Sequence, residues 1–187
     1  FKIIIFTEIG FIYIFGGTIL PKMTTVQLEY IVAGDTYRSG GAASDKCLVT
    51  QPTRSMQVQN DLGADIIMMF DECPNPNLPR EYQIEAVERT LRWADLCAQA
   101  HKRPTDQSLF GIVQGGTDEA LRLHCAQRLI QMDLPGYAVG GLAVGEGFEA
   151  MKQVLGYTLP ALPAHKPRYL MGVGFPRDIV EGVASGI

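Results

Sequence analysis

Four apolar runs in this 187-residue chain each end in a small cluster of chemically capable residues. Ile66-Ile67-Met68-Met69-Phe70 runs into Asp71-Glu72-Cys73, and Leu109-Phe110-Gly111-Ile112-Val113 into Gln114-Gly115-Gly116. Tyr137-Ala138-Val139 leads to Gly140-Gly141-Leu142, and Arg168-Tyr169-Leu170-Met171 to Gly172-Val173-Gly174. A carboxylate accepts two parallel N–H bonds from the amine edge of a guanine, and an amide donates to a ring carbonyl while neighbouring glycines leave the approach open. Bare backbone N–H groups and a polarizable thioether suit an oxygen and a ring face. Each feature has a plainer reading on its own: solvated acids, a turn contact, a tight turn, a core methionine. Their recurrence at successive strand ends predicts a slot for a flat, purine-like heterocycle.

Such clusters need strands to carry them. The pattern predicts a helix over 54–63 closed by Gly63, a buried strand over 65–70, and a helix over 81–101 with a stripe of Ile84, Val87, Leu91, Ala94 and Ala98. A strand over 108–113 follows, then a helix over 117–132 with Leu121, Cys125 and Leu129 on one side. A strand over 137–139, a helix over 148–155, a strand over 168–173 and a helix from Pro176 complete the series. Alternating strands and helices imply right-handed βαβ units and a parallel sheet, with ligands at the carboxyl ends of the strands. Repeated βα units without a dinucleotide fingerprint favour an α/β barrel over an open sheet.

Composition is that of a soluble globular protein, 47% hydrophobic and 19% charged. A net charge of −4 neither supports nor excludes an RNA partner. Cys47, Cys73, Cys97 and Cys125 are widely spaced, which argues against a zinc cluster or a disulfide framework and points to the cytoplasm. The apolar stretch 1–20 is broken by Lys2, Glu8 and Gly16-Gly17. It reads as two β-strands, with a membrane or targeting segment and the end of a longer protein as the other readings. His101, His124 and His165 show no partners and receive no catalytic role.

From Arg54 to Ile187 the text resembles the bacterial tRNA-guanine transglycosylases, also called queuine tRNA-ribosyltransferases. The resemblance rests on Arg-Ser-Met-Gln-Val-Gln-Asn-Asp-Leu-Gly-Ala-Asp from Arg54, Phe-Asp-Glu-Cys-Pro at 70–74 and Leu-Phe-Gly-Ile-Val-Gln-Gly at 109–115. It continues through Gly-Tyr-Ala-Val-Gly-Gly-Leu-Ala-Val-Gly-Glu at 136–146 and Pro-Arg-Tyr-Leu-Met-Gly-Val-Gly at 167–174. Residues 1–53 do not resemble the family's usual start, so the expected organisation is an atypical segment 1–53 and a partial barrel domain 54–187.

The resemblance implies part of a (β/α)8 TIM-type barrel that exchanges the wobble guanine of certain tRNAs for a 7-deazaguanine in queuosine biosynthesis. Asp71 then reads the amine edge of the base, Gln114 its oxygen side, Gly141 and Leu142 give backbone contacts, and Met171 covers one face. Gly172, Val173, Gly174, Phe175, Pro176, Arg177 and Asp178 correspond to an RNA-contacting segment, with Phe175 where the family often has Lys. Val144 resembles the bacterial form that takes an aminomethyl-deazaguanine.

The family's nucleophilic Asp is expected beyond Ile187, and its zinc site in a C-terminal part that this chain lacks, so no metal is expected to bind here. Ser39-Gly40-Gly41 is a loose echo of the loop that carries the acid/base Asp, and the role is not transferred to Asp35 or Asp45. The chain by itself is therefore expected to be inert, and the complete protein to be a homodimer without membrane contact. A non-catalytic tRNA-binding barrel subunit is the alternative; a barrel enzyme binding phosphate or flavin is a third reading.

Overall fold

In the computed structural model, residues 51–143 and 145–187 are described with their side chains, and before them five short strands are described by their backbone. Asp35, Gly40, Gly41, Asp45, Cys47 and Val144, all weighed above, lie outside the described residues. The strands are β1 (Ile3–Phe6), β2 (Ile12–Phe15), β3 (Tyr30–Ala33), β4 (Thr36–Ser39) and β5 (Leu48–Thr50). Then come α1 (Pro52–Leu62), β6 (Ile66–Met68), α2 (Arg80–Ala100), β7 (Ser108–Val113), α3 (Glu119–Gln131), β8 (Gly136–Val139), α4 (Phe148–Ala161), β9 (Arg168–Leu170) and α5 (Pro176–Ser185).

Local chemistry sets most of these boundaries. Pro52 opens α1, where its missing N–H is harmless, and Gly63 closes it in the left-handed region at φ 68° while donating to Gln59 O. Asp118 caps α3 by accepting from Leu121 N at 3.1 Å. Helix α4 runs to Ala161 instead of stopping at Leu155. Pro160 sits in its last turn, where it forfeits only the bond to residue 156, and buried Thr158 and Leu159 hold that turn to the core. Strand β9 ends at Leu170, short of the expected 173, and two residues on Gly172 turns the chain at φ 74°.

The strands β6, β7, β8 and β9 are mutually parallel and each is followed by a helix. With β1 and β2 they form one sheet in the order β2-β1-β6-β7-β8-β9, while β3, β4 and β5 make a separate antiparallel sheet. The two strands expected in the N-terminal apolar stretch form an antiparallel hairpin, and β1 meets β6 in parallel only at Ile3↔Ile66. Repeated parallel βα units in a curled sheet make this a partial TIM-type barrel.

Gln59 of α1 occupies an unusual place beside β6. Its amide donates to Met68 O at 2.9 Å and accepts from Met68 N at 3.0 Å, a pair of bonds that a neighbouring strand normally makes. The core lies between sheet and helices, around Met56, Trp93, Ile112, Leu129, Tyr137 and Leu155. In α2 the buried stripe is Ala86, Val87, Thr90, Leu91, Trp93, Ala94 and Cys97. Ala98 is exposed, contrary to expectation, because the large Trp93 and the core-facing Cys97 draw the buried face one position back. Against the strand, Phe110 fills the place a side chain at Gly136 would take, since a Cβ there would lie 2.3 Å from its ring.

Candidate functional site

The first component lies just past the end of β6. There Trp93 of α2 packs on Phe70 at 4.9 Å between ring centroids, while the next residue, Asp71, meets Gln114 on the inner side, so the chain leaves the strict strand alternation between Met68 and Asp71. Both acids after the strand are buried, Asp71 at 5% and Glu72 at 4% exposure, so neither is the solvated loop acid of the plainer reading. Glu72 turns back to α2: Tyr82 Oη donates to it at 2.8 Å, Arg89 pairs with its second oxygen, and its backbone N–H reaches Thr90 Oγ1 at 2.9 Å.

Gln114 supplies the second component. Its Nε2 donates to Asp71 Oδ2 at 2.7 Å, so the two side chains assigned to opposite edges of one base are in direct contact across adjacent strand tips. Burial pushes the Asp71 carboxyl up from the usual 3.8 to about 6; the Gln114 bond and a backbone N–H oppose that rise, and the neighbouring Glu72 charge adds to it. At neutral pH the group is ionised and acceptor-only, which suits two N–H donors on a guanine edge.

The third component is absence of side chains. A Cβ at Gly140 would fall 2.6 Å from Gln114 Nε2, and one at Gly141 would fall 2.7 Å from Gln114 Oε1 and 3.4 Å from Cys73 Sγ. Gly141 also has φ 65°, a conformation that glycine adopts freely. Replacing Gly141 by Ala is expected to weaken guanine binding by about tenfold or more, because strain of about 1–3 kcal/mol displaces either the loop or Gln114. Calorimetric titration with guanine checks this; unchanged affinity places the loop outside the site. Leu142 and Met171 are buried beside these glycines, and Met171 N donates to Val139 O at 3.1 Å, which continues the β8–β9 pairing into the loop.

The residues from Gly172 to Asp178 form the turn after β9 and the start of α5. All of them but Pro176 line an open groove of about 340 Å³ together with Leu142, Ala143, Phe148 and others. Phe175 is 77% exposed in it. The Arg177 guanidinium lies 3.9 Å from the Phe148 ring centroid and bonds Asp178 at 3.2 Å, so a cation remains at the groove despite Phe175.

Arg122 escaped the sequence reading. It is 0% exposed, and its guanidinium donates to Val113 O, Gly140 O and Gly116 O at 2.7, 2.7 and 2.8 Å and to Gly141 O at 3.2 Å. Desolvation lowers its pKa from the ordinary arginine value. The available signal was an arginine on the buried face of α3, three residues before Cys125 and next to Leu121. Two histidines do have partners: His101 bridges Asn60 Oδ1 and Gln107 O, each at 3.0 Å, and His124 meets Glu88 at 2.7 Å. The Asn60 and Glu88 partners are remote in sequence, which is why spacing did not reveal them.

Among the described residues Cys73, Cys97 and Cys125 are not joined in disulfides. Burial pushes Cys97 to about 12 and Cys125 to about 11. Among the described residues no group of three or more His, Cys, Asp or Glu side chains is placed to hold a metal ion. The donor set therefore does not fit the zinc site that the resemblance implies for the family.

Comparison with known proteins bears on the family to which the chain belongs. The family model described as queuine tRNA-ribosyltransferase matches residues 41–187. A protein of that name from Anoxybacillus flavithermus is 56% identical over 140 residues, which cover 75% of this chain and 37% of the relative. Namesakes from Halalkalibacterium halodurans and Lysinibacillus sphaericus are 53% and 51% identical over 144 and 140 residues, covering 77% and 75% of this chain and 38% and 37% of their own lengths. The chain thus spans a little over a third of the relatives it matches. With most of its length inside the family model and its strand-tip residues assembled as above, this chain belongs to the queuine tRNA-ribosyltransferase family.

Proposed function

We propose that this chain forms the base-recognising part of a tRNA-guanine transglycosylase, which exchanges the wobble guanine of specific tRNAs for an aminomethyl-7-deazaguanine. The observation that carries the reading is the 2.7 Å bond from Gln114 to Asp71 at adjacent strand tips, beside two glycines whose side chains would collide with Gln114. Asp71 accepts the N1–H and amine of the base, Gln114 and the loop backbone meet its oxygen, and Met171 lies against its face. The leaving base must be swung from its stack and held, and a buried carboxylate–amide pair holds by both edges what water would otherwise solvate.

Cleaving an N-glycosidic bond develops positive charge on the ribose, which a carboxylate nucleophile traps while bases exchange. No residue described here is assigned that part. The segment 172–178 lines an exposed groove with a cation at its rim, which supports contact with the tRNA backbone. Zinc and a homodimer belong to the proposal for the complete protein, and no step is routed through the metal. Among the described residues no helix is long and apolar enough to cross a membrane.

The test is incorporation of labelled guanine into a tRNA with a wobble guanine, run on the longest reading frame containing this sequence and on the 187 residues alone. Label is expected with the longer protein and not with the shorter. No incorporation by the longer protein overturns the transglycosylase reading, and incorporation by the 187 residues overturns their inertness.

A further inference from the structure

We infer that Arg122 is a positioning residue that orients the Gly140–Leu142 backbone toward the base; the inference rests on the base-recognition reading above. Its guanidinium holds the carbonyls of Gly140 and Gly141 on one side and those of Val113 and Gly116 on the other. The loops after β7 and β8 are thereby tied to one buried group on α3.

The direction of the tie matters. Arg122 rises from the helix layer, the side to which Gly111 also faces, where a Cβ would meet Leu134, Tyr137 and Leu129. Gln114 projects from the opposite, inner face: a Cβ at Gly140 would meet Gln114 and Ile112 together. A trans peptide sets its C=O and N–H antiparallel, and the described chain has no cis bond. With the Gly140 and Gly141 carbonyls drawn toward Arg122, the N–H groups of Gly141 and Leu142 point the other way, to the inner side where Asp71 and Gln114 meet. Successive N–H groups turned to one side suit a partly negative oxygen, such as the carbonyl of a 6-oxopurine.

Arginine is the side chain fitted to this task. Four of its five N–H donors are used, in directions a planar fork fixes, whereas an ammonium is a rotating point with three donors. Four carbonyl dipoles solvate the charge in place of water.

Arg122→Lys and Arg122→Gln in the full reading frame test the inference. Two readouts are taken: steady-state guanine exchange, and amide hydrogen exchange at Gly141 and Leu142. The KM for guanine is expected to rise at least about tenfold with the KM for tRNA held within about twofold, the loss of at least one well-aimed hydrogen bond to the base. Exchange at the two amides is expected to quicken while the β7 and β8 amides stay protected. A guanine KM within about twofold of wild type in a folded variant overturns the inference, as does unchanged amide exchange. Failure of both variants to fold also overturns it, assigning Arg122 to stability alone. Wild-type protein without exchange activity refutes the transglycosylase reading instead, and the amide measurement still decides the role of Arg122.

Discussion

Replacing Asp71 by Asn is expected to weaken guanine binding by at least about 100-fold while making the fold more stable at neutral pH. The two effects have one cause. In the native protein burial holds the carboxyl at about 6 against its ordinary 3.8. Between those pH values the native state keeps a proton that the unfolded chain has released, so stability falls as pH rises through the interval and the loss is complete above about 6. The difference corresponds to about 3 kcal/mol. Asn has the same shape, still accepts from Gln114 through its oxygen, and never ionises. Its amide nitrogen, however, faces a guanine edge with a donor where an acceptor is needed. Urea denaturation across pH 4–8, paired with calorimetric titration of guanine, measures both. A variant less stable than wild type at pH 8, or one binding guanine within tenfold of wild type, contradicts the assignment.

Arg89→Met is expected to be among the most damaging substitutions outside the slot, lowering stability by about 3–5 kcal/mol. Arg89 pairs with Glu72, and the two side chains are 15% and 5% exposed. Without the guanidinium, Glu72 keeps a buried charge with the Tyr82 hydroxyl as its remaining side-chain donor. The double variant Glu72→Gln with Arg89→Met is expected to recover most of the loss, because a buried pair contributes little net stability although an unpaired member is strongly unfavourable. Urea midpoints of the single and double variants decide it; equal losses in both show that Arg89 acts by packing and not by charge. Glu72 also adds repulsion on Asp71, so the single variant, which leaves that charge uncompensated, is expected to carry the guanine-binding pH profile upward.

Much of this was legible from residue order because it depends on local rules. Gly63 stops α1, Ser108–Val113 is an unbroken apolar strand, and Pro176 starts α5, each where the pattern places it. The meeting of Asp71 and Gln114 was legible for a different reason, since parallel strands that neighbour one another bring equivalent ends together. What depends on volume or on distant partners was not. Ala98 fits helical periodicity as well as Cys97 does, and only the bulk of Trp93 against Phe70 decides which one is buried. Arg122 shows no role until four carbonyls from the ends of β7 and β8 and the loops after them are placed around it, and the helix break expected near Leu155 ignored how little a proline removes in a final turn.

Gln59 leaves a lasting mark on how the barrel wall can be assembled. By saturating both polar groups of Met68, it acts as a doorstop: a strand laid against that side of β6 can run alongside Ile66 but has no bonds left to collect two residues on. The single Ile3↔Ile66 pairing stays within that limit. At this seam the sheet is also closed to adventitious strands from other molecules, so a helix side chain does the guarding that charged or kinked edges do elsewhere.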